Sequence, residues 1–336
     1  MTAGWLILSD CDQPPLREAS PLPRAALVAE LAWPLPQGVL LDWRDPSGAD
    51  RALSVFHHRQ TGLALLWREG AQLRRYLLPG SLSADGVRVA RLTFRWDLPA
   101  DTWHLRLDGG DGTEIAATMG LAPAAPPLAA VALMAAGRGV ARRDGAVLWF
   151  GLLDGDAPPA RAPWIGRATP VPTPTGLVPA SALRAGDWVM TRDAGPMRLH
   201  EVRDLAMPSR GSHAAIVLRA PYHARDRDIL ISADQMVALG GAEAEYLFGE
   251  EEVLVAAGAL ADGRSAVQDN RRAVTKGISL DFGGALHLID AGGCVLLSGH
   301  HGSAATAPLM PLRAIRDYEA AHLMSLLRRL RPSDAA

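Results

Sequence analysis

The chain has 336 residues, 34 of them basic and 36 acidic, for a formal net charge of −2. That balance argues against a nucleic-acid-coating protein and against a polybasic membrane binder. Hydrophobic residues make up 49% and charged residues 21%, so the chain can bury cores and does not read as a disordered tail; its length suits two domains. Lys276 is the only lysine and Asn270 the only asparagine, so lysine Schiff-base or asparagine chemistry has one position each. The two cysteines, Cys11 and Cys294, cannot form a disulfide framework or a four-cysteine zinc site.

The first residues lack a basic n-region, so no classical signal peptide is expected. The most apolar stretch, residues 128–136, is about half the length of a membrane span. The default reading is a cytoplasmic protein, or one exported by a route independent of a signal peptide. Short β-rich runs follow at residues 38–43, 62–68, 89–96 and 103–108, punctuated by Gly, Pro and Asp. Residues 91–96 and 103–107 alternate with period two, as half-buried antiparallel strands do. The spacing predicts a β-sandwich over 1–135, loosely similar in pattern to lectin-like jelly-roll sandwiches.

Residues 136–163 read as a further strand and a Pro-rich linker, and the Pro/Ala-rich 121–128 as an exposed connection. Short strands resume at 187–191, 215–218, 228–232 and 294–297. Residues 311–331 carry no glycine and place apolar side chains at helical spacing, which predicts one terminal amphipathic helix. The fold class is therefore all-β, with two modules and a terminal helix.

Between 173 and 193 the sequence places Thr173, Pro174, Gly176, Val178, Pro179, Leu183, Gly186, Asp187, Val189, Thr191 and Asp193 in one dense pattern. This resembles the opening hairpins of the bacterial Hedgehog/intein (Hint) domain family. Three later segments fit the family in order: residues 228–239, residues 252–260, and the run around His287, Leu288 and Asp290. The resemblance implies a compact β module over 164–310. Active members cleave their own backbone through a cysteine or serine at the first domain residue, with a histidine polarising the scissile amide.

Aligned without gaps, the nucleophile position falls on Trp164 and the histidine position on Gln235, with Ser232 three residues before it. An indole is no nucleophile, and a glutamine amide cannot act as an acid near neutral pH. Thr169 is the nearest hydroxyl, five residues on and followed by Pro170. Asn270 lies too early to serve terminal asparagine cyclisation. The expectation is a degenerate Hint module whose self-cleavage is lost, acting in binding or as a scaffold toward a protein or glycan partner. A self-processing protein with a non-standard nucleophile, cutting at 163–164, is the alternative. A glycan-binding sandwich with a passive appendage is the third, resting on Trp33, Trp43, Trp67, Trp96 and Trp103 with neighbouring arginines.

No cofactor or metal is expected. The pairs His57-His58 and His300-His301 point to opposite faces if they lie in strands, and the Asp108–Gly112 run reads as a turn rather than a calcium loop.

Overall fold

The computed structural model describes residues 5–11, 20–110, 112–155, 163–223, 227–299 and 310–330. The chain divides into two compact units. One comprises Thr2–Ala160 with Arg210–Ser212; the other comprises Arg161–Ser209 and His213–Ala336.

The first unit opens with β1 (Trp5–Leu8), β2 (Arg24–Ala32), β3 (Gly38–Arg44) and β4 (Arg51–His58). It continues with β5 (Gly62–Glu69), β6 (Gln72–Pro79), β7 (Val89–Asp97), β8 (Thr102–Gly109) and β9 (Glu114–Leu121). Helix α1 (Leu128–Ala135) precedes β10 (Val140–Arg143) and β11 (Val147–Asp154). The strands form two antiparallel sheets, ordered β1-β11-β2-β7-β8-β9 and β10-β3-β4-β5-β6. Both contribute to one core, which makes the unit a β-sandwich.

Period-two patterning does what it should along β7. Ala90, Leu92, Phe94 and Trp96 are buried, while the residues between them are half-exposed. Phe94 meets Tyr76 of the other sheet at 4.3 Å between ring centroids. Trp43 and Trp67 stack at 6.4 Å. Two buried polar tips find carbonyls: Trp43 Nε1 donates to Arg138 at 2.8 Å and Trp96 Nε1 to Leu22 at 2.9 Å, while Trp67 Nε1 has no hydrogen-bond partner among the described residues.

The structure corrects two boundaries here. Residues 136–163 are not simply a strand and a linker. β10 and β11 complete the two sheets, and β11 lies between β1 and β2. Its nearly continuous apolar run is the mark of an interior strand. Residues 128–135 form a helix that no periodicity announced, because it is apolar on all sides. Six of its eight residues are buried, and it packs into the core cluster that holds Trp43 and Trp67.

Glu30, in the middle of β2, is fully buried. Arg91 Nη2 donates to its carboxylate at 2.8 Å, Trp149 Nε1 at 3.0 Å and the Ser212 amide at 2.8 Å. A buried charge is tolerable only when paired and hydrogen-bonded in this way.

The second unit begins with β12 (Ile165–Gly166) and two hairpins, β13 (Pro170–Thr173) with β14 (Gly176–Pro179) and β15 (Trp188–Thr191) with β16 (Gly195–Arg198). Next come β17 (Glu201–Pro208), β18 (Ala215–Leu218), β19 (Ile229–Ile231), β20 (Met236–Gly240), α2 (Ala242–Phe248) and β21 (Glu252–Ala256). The unit closes with α3 (Ala257–Leu260), β22 (Ala266–Asp269), β23 (Val274–Asp281), β24 (His287–Ala291), β25 (Cys294–Ser298), β26 (Arg313–Ala314) and α4 (Asp317–Leu330). Its two larger sheets run β17-β23-β12-β19-β18-β22 and β24-β25-β20-β21-β26.

Gly186 and Asp187 make the turn their residue types suggested. Gly186 has φ +94°, and Asp187 Oδ2 accepts the Arg184 amide at 2.8 Å. The terminal helix starts at Asp317, six residues later than expected at 311. Arg313 and Ala314 instead pair in parallel with Val253 and Leu254. Glu319 then reaches back to the Arg316 amide at 2.8 Å, the reciprocal half of a capping box. Among the described residues no helix is long and apolar enough to cross a membrane.

Glu30→Ala would leave a guanidinium, an indole N–H and a backbone amide without their acceptor. It should destabilise the first unit by about 3–5 kcal/mol in denaturant unfolding. A loss below about 1 kcal/mol would contradict the buried, paired carboxylate.

Candidate functional site

The site is built where the chain enters the second unit. Ile165 in β12 pairs with Ile231 on one side and Ile278 on the other. This wedges the preceding residue, Trp164, against the end of β19. The Trp164 amide donates to Ser232 Oγ at 3.1 Å, and the Ser232 amide donates to the Trp164 carbonyl at 3.0 Å. The two residues are 68 apart in sequence. Trp164 is 3% exposed. Its ring occupies the space over Gly277, where an added Cβ would fall 2.2 Å from it.

Gln235 is 2% exposed and sits in the turn after β19, its amide donating to the Ser232 carbonyl at 3.1 Å. Its side-chain Nε2 donates to the Leu297 carbonyl at 2.6 Å and the Met236 carbonyl at 3.2 Å. So Trp164, Ser232 and Gln235 are brought together. Thr169 is not part of that contact. It is buried, its amide donates to the Gly166 carbonyl at 3.0 Å, and it lines a separate cleft.

The chemistry of this arrangement is limited by its side chains. Position 164 offers no thiol or hydroxyl. Ser232 Oγ accepts the amide hydrogen of the peptide bond between Pro163 and Trp164. Gln235 spends both N–H bonds on carbonyls and brings no titratable proton. Nucleophilic attack needs an activating base within hydrogen-bond reach. Neither Trp164 nor Gln235 supplies one.

Sequence reasoning missed one pair whose members both stood in the quoted motifs. His287 Nδ1 lies 2.9 Å from Asp193 Oδ2, and Asp193 Oδ1 accepts the Leu288 amide at 2.8 Å. The Asp193 carboxylate thereby ties the end of the second hairpin to β24. His287 Nε2 is buried without a hydrogen-bond partner among the described residues, and Phe282 packs edge-on against the ring at 5.1 Å. The only sequence signal was that both residues fall at motif positions, 94 residues apart.

The remaining candidates resolve individually. His57 Nδ1 lies 3.0 Å from the Pro36 carbonyl, while His58 Nδ1 accepts amides of its own turn, so the two rings are engaged separately. His300 and His301 lie outside the described residues, as does Asp111. Asp108 bonds Arg106, and Gly112 donates to the Gly109 carbonyl at 2.8 Å, which closes a turn. Trp43, Trp67 and Trp96 are 1%, 2% and 0% exposed, so the tryptophans counted toward a glycan surface are mostly core.

Cys294 is buried in β25, and burial, assisted by Asp290, pushes its thiol up to about 12. At pH 8 only about one molecule in 10⁴ then carries the thiolate. Cys294 should resist iodoacetamide at pH 8 in the native chain and label promptly in denaturant; peptide mass mapping reads both states. Ser232→Ala would leave the buried Trp164 amide unsatisfied and should cost about 1–3 kcal/mol in thermal or denaturant unfolding.

A family model described as Hint domain matches residues 166–277. No curated protein sequence matches the chain. Among solved structures, the MchDnaB-1 intein is similar at 17% identity, covering 40% of this chain and 99% of that one, with a TM-score of 0.28. The gp41-1 intein is similar at 15% identity, covering 42% and 100%, with a TM-score of 0.27. Domains LG4-5 of the mouse laminin alpha1 chain are similar at 11% identity, covering 91% and 78%, with a TM-score of 0.25. The Hint domain match covers about a third of the chain, from Gly166 in β12 to Gly277 in β23.

Proposed function

We propose that the second unit is a Hint module without self-cleavage, retained as a binding or structural module beside the β-sandwich. One observation carries this reading. The peptide bond at which the family's chemistry would act is followed by a buried indole, and Ser232 and Gln235 are used to hold that backbone in place. Acyl transfer requires a nucleophile, a proton donor to the leaving amine and a polarised carbonyl. Position 164 lacks the first and Gln235 cannot supply the second. Membership of a fold family does not restore either, because activity resides in the side chains at the site.

The full chain should keep its intact mass over several days at 37 °C, with or without dithiothreitol or hydroxylamine. A pair of fragments meeting at Pro163 and Trp164 would overturn this reading in favour of self-processing.

A further inference from the structure

We propose that a trough in the first sheet of the Hint unit is a docking slot for an extended acidic peptide of a partner protein. This deepens the binding-module reading and rests on it for its biological sense, though not for its geometry.

The trough exists because β12 has only two residues. Gly166 pairs with Gly277, and the chain then turns away, with the Thr169 amide closing back on the Gly166 carbonyl. The strands on either side continue. Gly166 lies against Leu230, and past it Ile229 of β19 and Val274, Thr275 and Lys276 of β23 run on with no strand between them. A missing strand in a sheet leaves a gap about 10 Å wide between its neighbours, the width one extended chain fills. A cleft of about 800 Å³ lies there.

The lining fixes what the strand should look like. Val217, Leu230 and Val274 give an apolar floor, suited to every second side chain of an extended peptide. The rim is basic: Arg167, Arg227, Arg271, Arg272 and Lys276 against Asp228 and Asp269. Internal pairing consumes only part of that charge. Arg271 holds Asp269 with two hydrogen bonds of 2.8 Å, Arg167 pairs with Asp204, and Asp228 Oδ1 accepts the Ala220 amide at 3.0 Å. Arg227, Arg272 and Lys276 are exposed and form no ion pair with another described residue. A peptide alternating apolar and acidic residues would meet the floor with one face and these three cations with the other. A single-stranded nucleic acid fits less well, because no aromatic side chain among the described lining residues offers a base a stacking surface.

The test uses the full chain and a fluorescein-labelled octapeptide alternating valine and glutamate, read by fluorescence anisotropy at 50 and 300 mM NaCl. The expected result is saturable binding that weakens about tenfold or more at the higher salt and in the Arg227→Ala, Arg272→Ala, Lys276→Ala triple variant. The valine/lysine peptide should not bind. Equal binding of the two peptides overturns the slot without any variant, so a folding defect in the triple variant cannot shelter it. Tighter binding of inorganic pyrophosphate or of an oligo-dT through the same three cations would also overturn it, assigning the cleft to a small anion or a nucleic acid. Self-cleavage seen by intact mass would overturn the earlier reading and leave this one standing; absence of peptide binding would do the reverse.

Discussion

The second unit hangs on the pairing of Ile165. That one residue bridges β19 and β23, joining two halves of a six-stranded sheet. Two features of functional interest adjoin it directly. Before Ile165 stands Trp164, hydrogen-bonded to Ser232. After it, Gly166 ends the strand and opens the trough. A longer β12 would stitch the sheet shut; a missing one would leave the two halves without a common strand. Two residues hold the sheet together and still leave a vacancy for an extended segment.

The side-chain hydrogen bonds around Trp164 and Gln235 all engage backbone groups. Each satisfies a buried backbone group that would otherwise cost the fold about 1–3 kcal/mol. A site built for backbone cleavage has to concentrate strain and reactive groups at one carbonyl. Here the same positions relieve unsatisfied polar groups. The Asp193–His287 pair belongs with them, since its carboxylate fastens a hairpin to β24.

Much of this was legible in the sequence where a local period carried it. Ala90, Leu92, Phe94 and Trp96 announce one buried strand face because every second residue must share it. The turn at Gly186 and Asp187 was legible from residue chemistry. Helix α1 was not, since a helix apolar on all faces has no stripe for a period to detect. Nor was the role of β11, whose continuous apolar run gives length but not neighbours. At the site, Trp164 and Ser232 could be matched only through family spacing. The cleft could not be read at all, because its arginines come from segments as far apart as Arg167 and Arg272, and only the sheet order places them on one rim.

The fit of Trp164 over Gly277 constrains both positions. The indole fills a space that any side chain at 277 would invade, and a small nucleophile at 164 would leave that space empty. A large-to-small change in such a site costs about 3–5 kcal/mol, a large share of a typical domain's stability. A small reactive residue at 164 is therefore opposed by folding itself, before any question of catalysis arises. The two positions are coupled: with the bulky ring and the bare glycine matched, a change at either one alone costs stability.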